Sequence, residues 1–238
     1  MKRIIFALLL AVISIYCSGQ DYIDWISPQS VTIKYGYLYN YYAATDSRNI
    51  AASGWHVSTF ANTTTLVTYI ADAGNEGLYL KETGLTYWNS PNTGATNSLK
   101  FNLRGAGYRQ STGTFSDIKG AGIIGTTDII FSTNWRVRTS VYNQAYFAPS
   151  YNDLKYGFSL RLVKDSTTLS HGQTGTYTGN DGKIYHTICI GTQEWLSDNL
   201  TETKYRNGDA IPEVTSNSAW AALTTGARCV YNNDETNK

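Results

Sequence analysis

The side chains with which this chain could do chemistry are few and scattered. Its three histidines, His56, His171 and His186, show neither HExxH nor CxxC spacing, the arrangements that bring two ligands to one metal. No transition-metal centre and no cofactor is expected from them. His56, beside Trp55, reads as a structural histidine bonded to backbone. Asp198, Asp209, Asp234 and Glu235 lie among glycines and asparagines, and oxygen donors of that kind can hold Ca²⁺. The EF-hand spacing is missing, so they read as solvated turn carboxylates. Gly105-Ala106-Gly107 and Gly120-Ala121-Gly122 lack a following helix or Lys-Ser/Thr and read as turns rather than phosphate cradles. No Gly-x-Ser-x-Gly elbow is present. A hydrolase built on unpaired carboxylates has no motif behind it, and a non-enzymatic protein is expected.

Binding chemistry is better represented. Residues 132–156 hold Trp135, Arg136, Arg138, Tyr142, Asn143, Tyr146, Tyr151 and Asn152 without strict period. Such mixtures occur in adaptable binding loops, where rigid aromatics anchor and short polar groups adjust their hydrogen bonds. The competing reading places Trp135, Tyr142 and Tyr146 in the core, where aromatics are ordinary. An extracellular glycan or protein surface is the expected class of ligand; its identity stays open.

The run 157–165 (Gly-Phe-Ser-Leu-Arg-Leu-Val-Lys-Asp) should position that block. It alternates apolar and polar residues as a half-buried strand does. Residues 35–43 are apolar nearly throughout and read as a strand covered on both faces. Ser58 is a plausible N-cap for a helix to about Ala71, with Leu66, Val67 and Ile70 on one side. Residues 80–84 resemble one helical turn closed by glycine. Short strands are expected at 101–109 and 114–118, and core strands at Ile123-Ile124, Ile129-Ile130-Phe131, Val137 and Val141. Residues 166–179 are rich in Ser, Thr and Gly and read as a flexible linker. Beyond it, Asp181-Gly182 marks a hairpin turn. Ser216 and Asn217 can cap a short helix with Ala219, Trp220 and Leu223 inward.

Nineteen tyrosines, six tryptophans and 21 glycines favour β-structure with many turns. Lys2 and Arg3 precede an apolar run closed by Cys17-Ser18-Gly19, the plan of a secretory signal peptide over residues 1–19 with cleavage near Gln20. Lipid attachment at Cys17 is disfavoured by Tyr16, which occupies a slot for a small residue. A secreted or cell-surface location follows, with no membrane span in the mature chain. Loss of Lys2 and Arg3 leaves 17 basic against 18 acidic residues. That balance argues against nucleic acid as partner. Export permits disulfides, and Cys189 and Cys229 either pair or are both small buried hydrophobes.

Two blocks resemble the Fibrobacter succinogenes major paralogous domain, found in exported bacterial and some phage proteins. The first covers residues 35–165: Tyr-Gly-Tyr-Leu-Tyr-Asn-Tyr-Tyr-Ala at 35–43, Gly-Trp-His-Val at 54–57, Leu-Lys-Glu-Thr-Gly at 80–84, Trp-Asn-Ser-Pro-Asn-Thr-Gly-Ala-Thr-Asn at 88–97, Gly-Tyr-Arg at 107–109, and the 157–165 run. The second covers 181–234: Asp-Gly-Lys-Ile-Tyr at 181–185, Ile-Gly-Thr-Gln-Glu-Trp at 190–195, Asn199-Leu200, 205–212 and 220–234. In the family the second block comes first. The resemblance therefore implies a circular permutant whose 180–238 segment completes the 20–165 fold, or halves finished by other chains, or a chain that stops mid-domain. Intramolecular completion is the favoured reading, since permutation is easy where fold ends lie close.

The resemblance further implies an α+β, C-type lectin-like fold shared with formylglycine-generating enzymes, with a twisted antiparallel sheet, two short helices and long loops. It implies no function by itself, and the reactive cysteine pair of those enzymes has no counterpart here. Leu162 stands where the family often has Cys, so Cys189 could replace it as the mate of Cys229. Family members usually carry Trp near Thr63 and Pro at Ser58, which implies looser packing of the first helix. Some lectin-fold proteins of this type are diversified in the late region, which makes 132–156 the expected binding face. A recognition or adhesion module is the leading expectation. The alternative is a structural or assembly subunit of a cell surface or phage particle, an oligomer with exchanged halves.

Overall fold

The computed structural model describes residues 33–238. The leader 1–19, with Cys17, lies outside the described residues. The described chain is α+β and mainly β, built on two larger sheets that share the run 157–165. Ser159–Leu160 (β8) pairs in parallel with Ala121–Ile130 (β5), which continues through Asn134–Val141 (β6) to Ala148–Asp153 (β7). One residue later, Leu162–Lys164 (β9) is flanked by Trp55–Val57 (β2) and Gln193–Leu196 (β12), both antiparallel. Ile184–Ile190 (β11) and Thr174–Thr178 (β10) complete that sheet. Residues 157–163 are all buried, which corrects the half-buried expectation. A strand lying where two sheets meet has core on both faces.

Four short helices occur among the described residues rather than two: Tyr41–Ala44 (α1), Phe60–Ile70 (α2), Glu76–Leu80 (α3) and Asn217–Ala221 (α4). The strand expected at 35–43 shrinks to Leu38–Tyr39 (β1). Asn40 Oδ1 accepts the Ala43 N–H at 3.0 Å and caps α1, an outcome open to a short polar side chain wherever a helix can start. The α2 cap is Thr59, one residue later than expected. Ser58 still belongs to the extended chain, donating its N–H to Arg161 O at 2.9 Å, while Thr59 and Asn62 form the capping box. The turn expected at 80–84 lies earlier, as α3, with Lys81 already extended. In α4, Trp220 is buried as expected but Ala219 is exposed.

The linker expectation also fails in part. Thr174–Thr178 is an edge strand, hydrogen-bonded to β11 across the hairpin whose Gly182 has φ +84°. Tyr177 is the reason: it is buried against Trp55 and Tyr185, with ring centroids 5.0 and 5.6 Å away.

Pairings between the early and late chain close the fold. β1 pairs antiparallel with Arg228–Cys229 (β13). Arg161, fully buried, donates to Asn199 Oδ1 (2.9 Å), Leu196 O (2.8 Å), Phe101 O (2.7 Å) and Asn102 O (3.0 Å), and stacks on Phe101. Asn199 turns its amide nitrogen to Tyr35 O and Ser159 Oγ. Gly36, φ +77°, lets the backbone reach Asn199; a Cβ there would lie 2.7 Å from Asn199 Cβ. Arg109 works the same way on the late loop, bonding Gly113 O, Val214 O, Thr215 O and Asn217 Oδ1 between the rings of Phe115 and Trp220. Cys189 and Cys229 are both buried and free, so of the two alternatives it is that of small buried hydrophobes that holds. Cys189 faces Leu169 O and Cys229 lies in a cluster with Leu38, Trp220 and Ala227; burial pushes its thiol up to about 12.

Glu202 and Asp181 meet beneath the β10–β11 hairpin. The Glu202 carboxylate accepts N–H groups from Asn180, Thr203 and Lys204, and Lys183 Nζ reaches Asp181 at 2.5 Å. Burial, then the Asp181 charge, raises Glu202 to about 7. A carboxyl raised on folding stabilises fully below its unfolded value near 4.5, and that contribution is lost as pH climbs towards 7. Asp181 is lowered, so its own contribution is lost only at more acidic pH. Urea unfolding should therefore show wild type losing more stability between pH 5 and 7.5 than Glu202→Gln; equal losses would refute the assignment. In the same assay Arg161→Met should cost about 3–5 kcal/mol, because it strands several buried acceptors. The m-value should stay unchanged, and Arg161→Lys should fall between, since an ammonium cannot reproduce the fork.

Candidate functional site

The expected binding residues ride on β6, β7 and their turns. Along β6, side chains alternate between faces. Trp135 and Val137 enter the main core, and Trp135 Nε1 donates to Thr126 O at 2.6 Å. Arg136 and Arg138 point to the other face, against α2. Their guanidinium carbons lie 3.3 and 4.6 Å from the Phe60 ring centroid, and Arg138 bonds Thr63 Oγ1, Thr64 Oγ1 and Phe147 O. Burial lowers the Arg138 pKa. Trp135 and Arg138 are thus buried supports, which corrects their placement on a contact surface. An aromatic in strand alternation goes to the core, and a guanidinium over a ring serves as packing.

The rest separates into two ends, about 23 Å apart at a strand rise of roughly 3.3 Å per residue. At the β6–β7 turn are Tyr142, Asn143 and Tyr146. Asn143 is exposed, and the two tyrosines are half-buried. This turn is clamped rather than adaptable. Lys81 Nζ, fully buried and pushed down to about 8 by burial, donates to Gln144 O at 2.8 Å and Thr93 O at 3.0 Å. Glu76 Oε2 accepts the Phe147 N–H. Gly77 passes so close that a Cβ would lie 2.6 Å from the carbonyl oxygens of Ala145 and Tyr146.

At the other end, Tyr151 is 45% exposed and meets Phe131, 77% exposed, with ring centroids 6.2 Å apart and planes at 71°. Ile129 beside them is 44% exposed. Asn134 and Arg136, both half-buried, share the face of Tyr151, whereas Asn152, also half-buried but opposite Trp135, turns to the other face. Phe131 and Ser132 form the hairpin tip with φ of +52° and +64°, so the chain reverses abruptly and throws the ring outward. A bulge between Gly125 and Ile129 breaks the β5–β6 register and frees Asp128, whose carboxylate accepts the Phe60 N–H at 2.7 Å and so ties the hairpin to α2. Ile129 and Phe131, expected in the core, are exposed. The signal against core placement was Ser132-Thr133-Asn134, turn chemistry directly after the apolar run.

The titratable residues do not converge. His56 is held by Asp165 Oδ1 at 2.6 Å and Asn62 Oδ1 at 3.1 Å, side chains rather than the expected backbone. His171 packs on Tyr69. Asp198 pairs with Arg104, Asp209 with Arg48 and Glu235 with Lys238, while Asp234 caps a final turn. Among the described residues, no group of three or more His, Cys, Asp or Glu is placed to hold a metal ion, and no helix is long and apolar enough to cross a membrane.

The profile of the Fibrobacter succinogenes major domain matches residues 16–164. No curated protein and no solved structure matches the chain.

The clamp on the 142–147 turn is directly testable. Gly77→Ala should cost about 1–3 kcal/mol by overpacking and speed amide exchange at Ala145 to Phe147, both measurable by hydrogen-exchange mass spectrometry with urea melts. An unchanged exchange rate would show that the contact does not hold the turn.

Proposed function

Because the chain belongs to the Fibrobacter succinogenes major domain family, we propose that it is an exported, non-enzymatic recognition module that grips a glycan or protein surface through the β5–β6 hairpin tip. One observation carries this reading: the exposed Phe131–Tyr151 ring pair, next to which Arg136, the cross-strand neighbour of Tyr151, packs on Phe60. Folding gains little from leaving two large rings in water, whereas a partner that covers them gains their apolar area and π-faces. Asn134 at the margin supplies a polar group for orientation. The residues assigned to contact are Phe131, Tyr151 and Asn134; Trp135, Arg136 and Arg138 hold the sheet and helix in place.

In this reading the fold is C-type lectin-like with its two family halves in permuted order. The antiparallel pairing of β9 with β12 and of β1 with β13 within one chain supports completion without a partner. It favours a self-contained module over a particle subunit with exchanged halves. Secretion is proposed on the leader-like residues 1–19.

The test is binding to immobilised glycan and extracellular-protein arrays, with hits quantified in solution. The Phe131→Ala/Tyr151→Ala double variant should lose at least tenfold in affinity, equivalent to about 1.4 kcal/mol or more. Asn143→Ala, at the other end of β6, should bind as wild type. A double variant that retains full affinity for every hit would remove the tip from consideration.

A further inference from the structure

A second polar recess lies on the other sheet, where the loop 97–102 faces β10, β11 and the end of β12. It is a cleft of about 250 Å³ lined by Lys100, Asn102, Thr174, His186, Ser197 and Asp198, with buried Ile188 as an apolar floor. A smaller recess of about 100 Å³ continues it, sharing Lys100 and Ile188. The cleft is smaller than the sites of drug-sized ligands, which run to roughly 300–1,000 Å³, and suits a small one.

The cleft is preformed. Asn97, Lys100 and Asn102 hold φ of +49°, +52° and +50°. Asn97 Nδ2 donates to Asn102 Oδ1 at 2.7 Å, the Asn102 backbone N–H donates to Asn97 Oδ1 at 3.0 Å, and the buried Arg161 donates to Asn102 O at 3.0 Å. On the opposite wall Arg104 fixes Asp198 at 3.2 Å, and Ser197 Oγ donates to His186 O at 3.0 Å. Among the described residues, the Lys100 ammonium has no ion pair and Asn102 Nδ2 has no hydrogen-bond partner. Two uncommitted donors therefore face a carboxylate and two hydroxyls across an apolar floor.

We propose that this cleft binds a single sugar ring, the Asp198 carboxylate and the hydroxyls of Thr174 and Ser197 accepting from its hydroxyl groups while Lys100 and Asn102 donate to them. The ligand class follows from the mixture. Asp198 repels a phosphate, and Lys100 repels a divalent cation. A sugar both gives and takes hydrogen bonds, as this mixture of donors and acceptors requires. The site is separate from the hairpin tip and does not depend on it.

The experiment is a ¹H–¹⁵N titration of the full chain with methyl glycosides of glucose, galactose, mannose and N-acetylglucosamine, with alanine as a zwitterionic control. At least one glycoside should give saturable shifts at Thr174, His186 and Ser197, with Kd on the order of 1 mM. Lys100→Ala should weaken it at least fivefold. So should Asn102→Asp, which keeps the oxygen that Asn97 needs, and both variants should retain wild-type spectral dispersion. Phe131→Ala should leave these shifts unchanged, so failure here and failure at the tip are read separately. Absence of saturable shifts with every glycoside, undiminished shifts in both variants, or saturation by alanine alone would overturn the proposal.

Discussion

The Arg161 guanidinium is the constraint on which the architecture rests. It sits at the single residue between β8 and β9, where one extended segment leaves one sheet and enters the other. A charge buried there is tolerable only because its N–H groups meet fixed acceptors, and no carboxylate is among the partners named. Those acceptors come from the 101–102 loop and from residues 196 and 199, so one side chain measures the distance between early and late chain. Arg109 repeats the device on the 213–217 loop, and Lys81 does so on the 142–147 turn. Three buried cations thus organise loops that have little regular secondary structure. Carbonyl oxygens, which every residue carries, let loop sequence vary while loop position is held.

Much of this was legible in residue types. Asp181-Gly182 marked its hairpin, Trp220 its helix face, and the alternating 157–165 run a strand, though not its burial on both faces. The predominance of β-structure followed from Tyr, Trp and Gly content, and the α+β class from the family resemblance. What escaped the sequence were outcomes decided by distant partners. Asn40 ends β1 by capping a helix. Tyr177 drags a threonine-rich stretch into a sheet because Trp55 and Tyr185 wait for it. Arg136 and Arg138 look like contact residues until Phe60 is known to lie beneath them.

The candidate site shows the same division. The block around 132–156 was correctly singled out as rich in aromatics, but sequence density does not report which face a strand turns outward. β6 sends Trp135 in, and the most exposed ring of the region, Phe131, sits just outside the block. The cleft near Lys100 had no sequence signature, because its walls come from residues 100–102, 174, 186–188 and 197–198. Only the sheet order brings those together.

The β1–β13 ladder has a consequence for how the molecule comes into being. Asn40 receives the Ala227 N–H across 187 residues of sequence, so β1 stays without its neighbour until residues 228–229 have emerged. Contacts of such long range are closed late and slowly. In the interval β1 and β9 expose unpaired edges of the kind that attract foreign strands. A chain translocated in an extended form, and released with both ends free together, avoids that delay; one that folds as it is synthesised must wait.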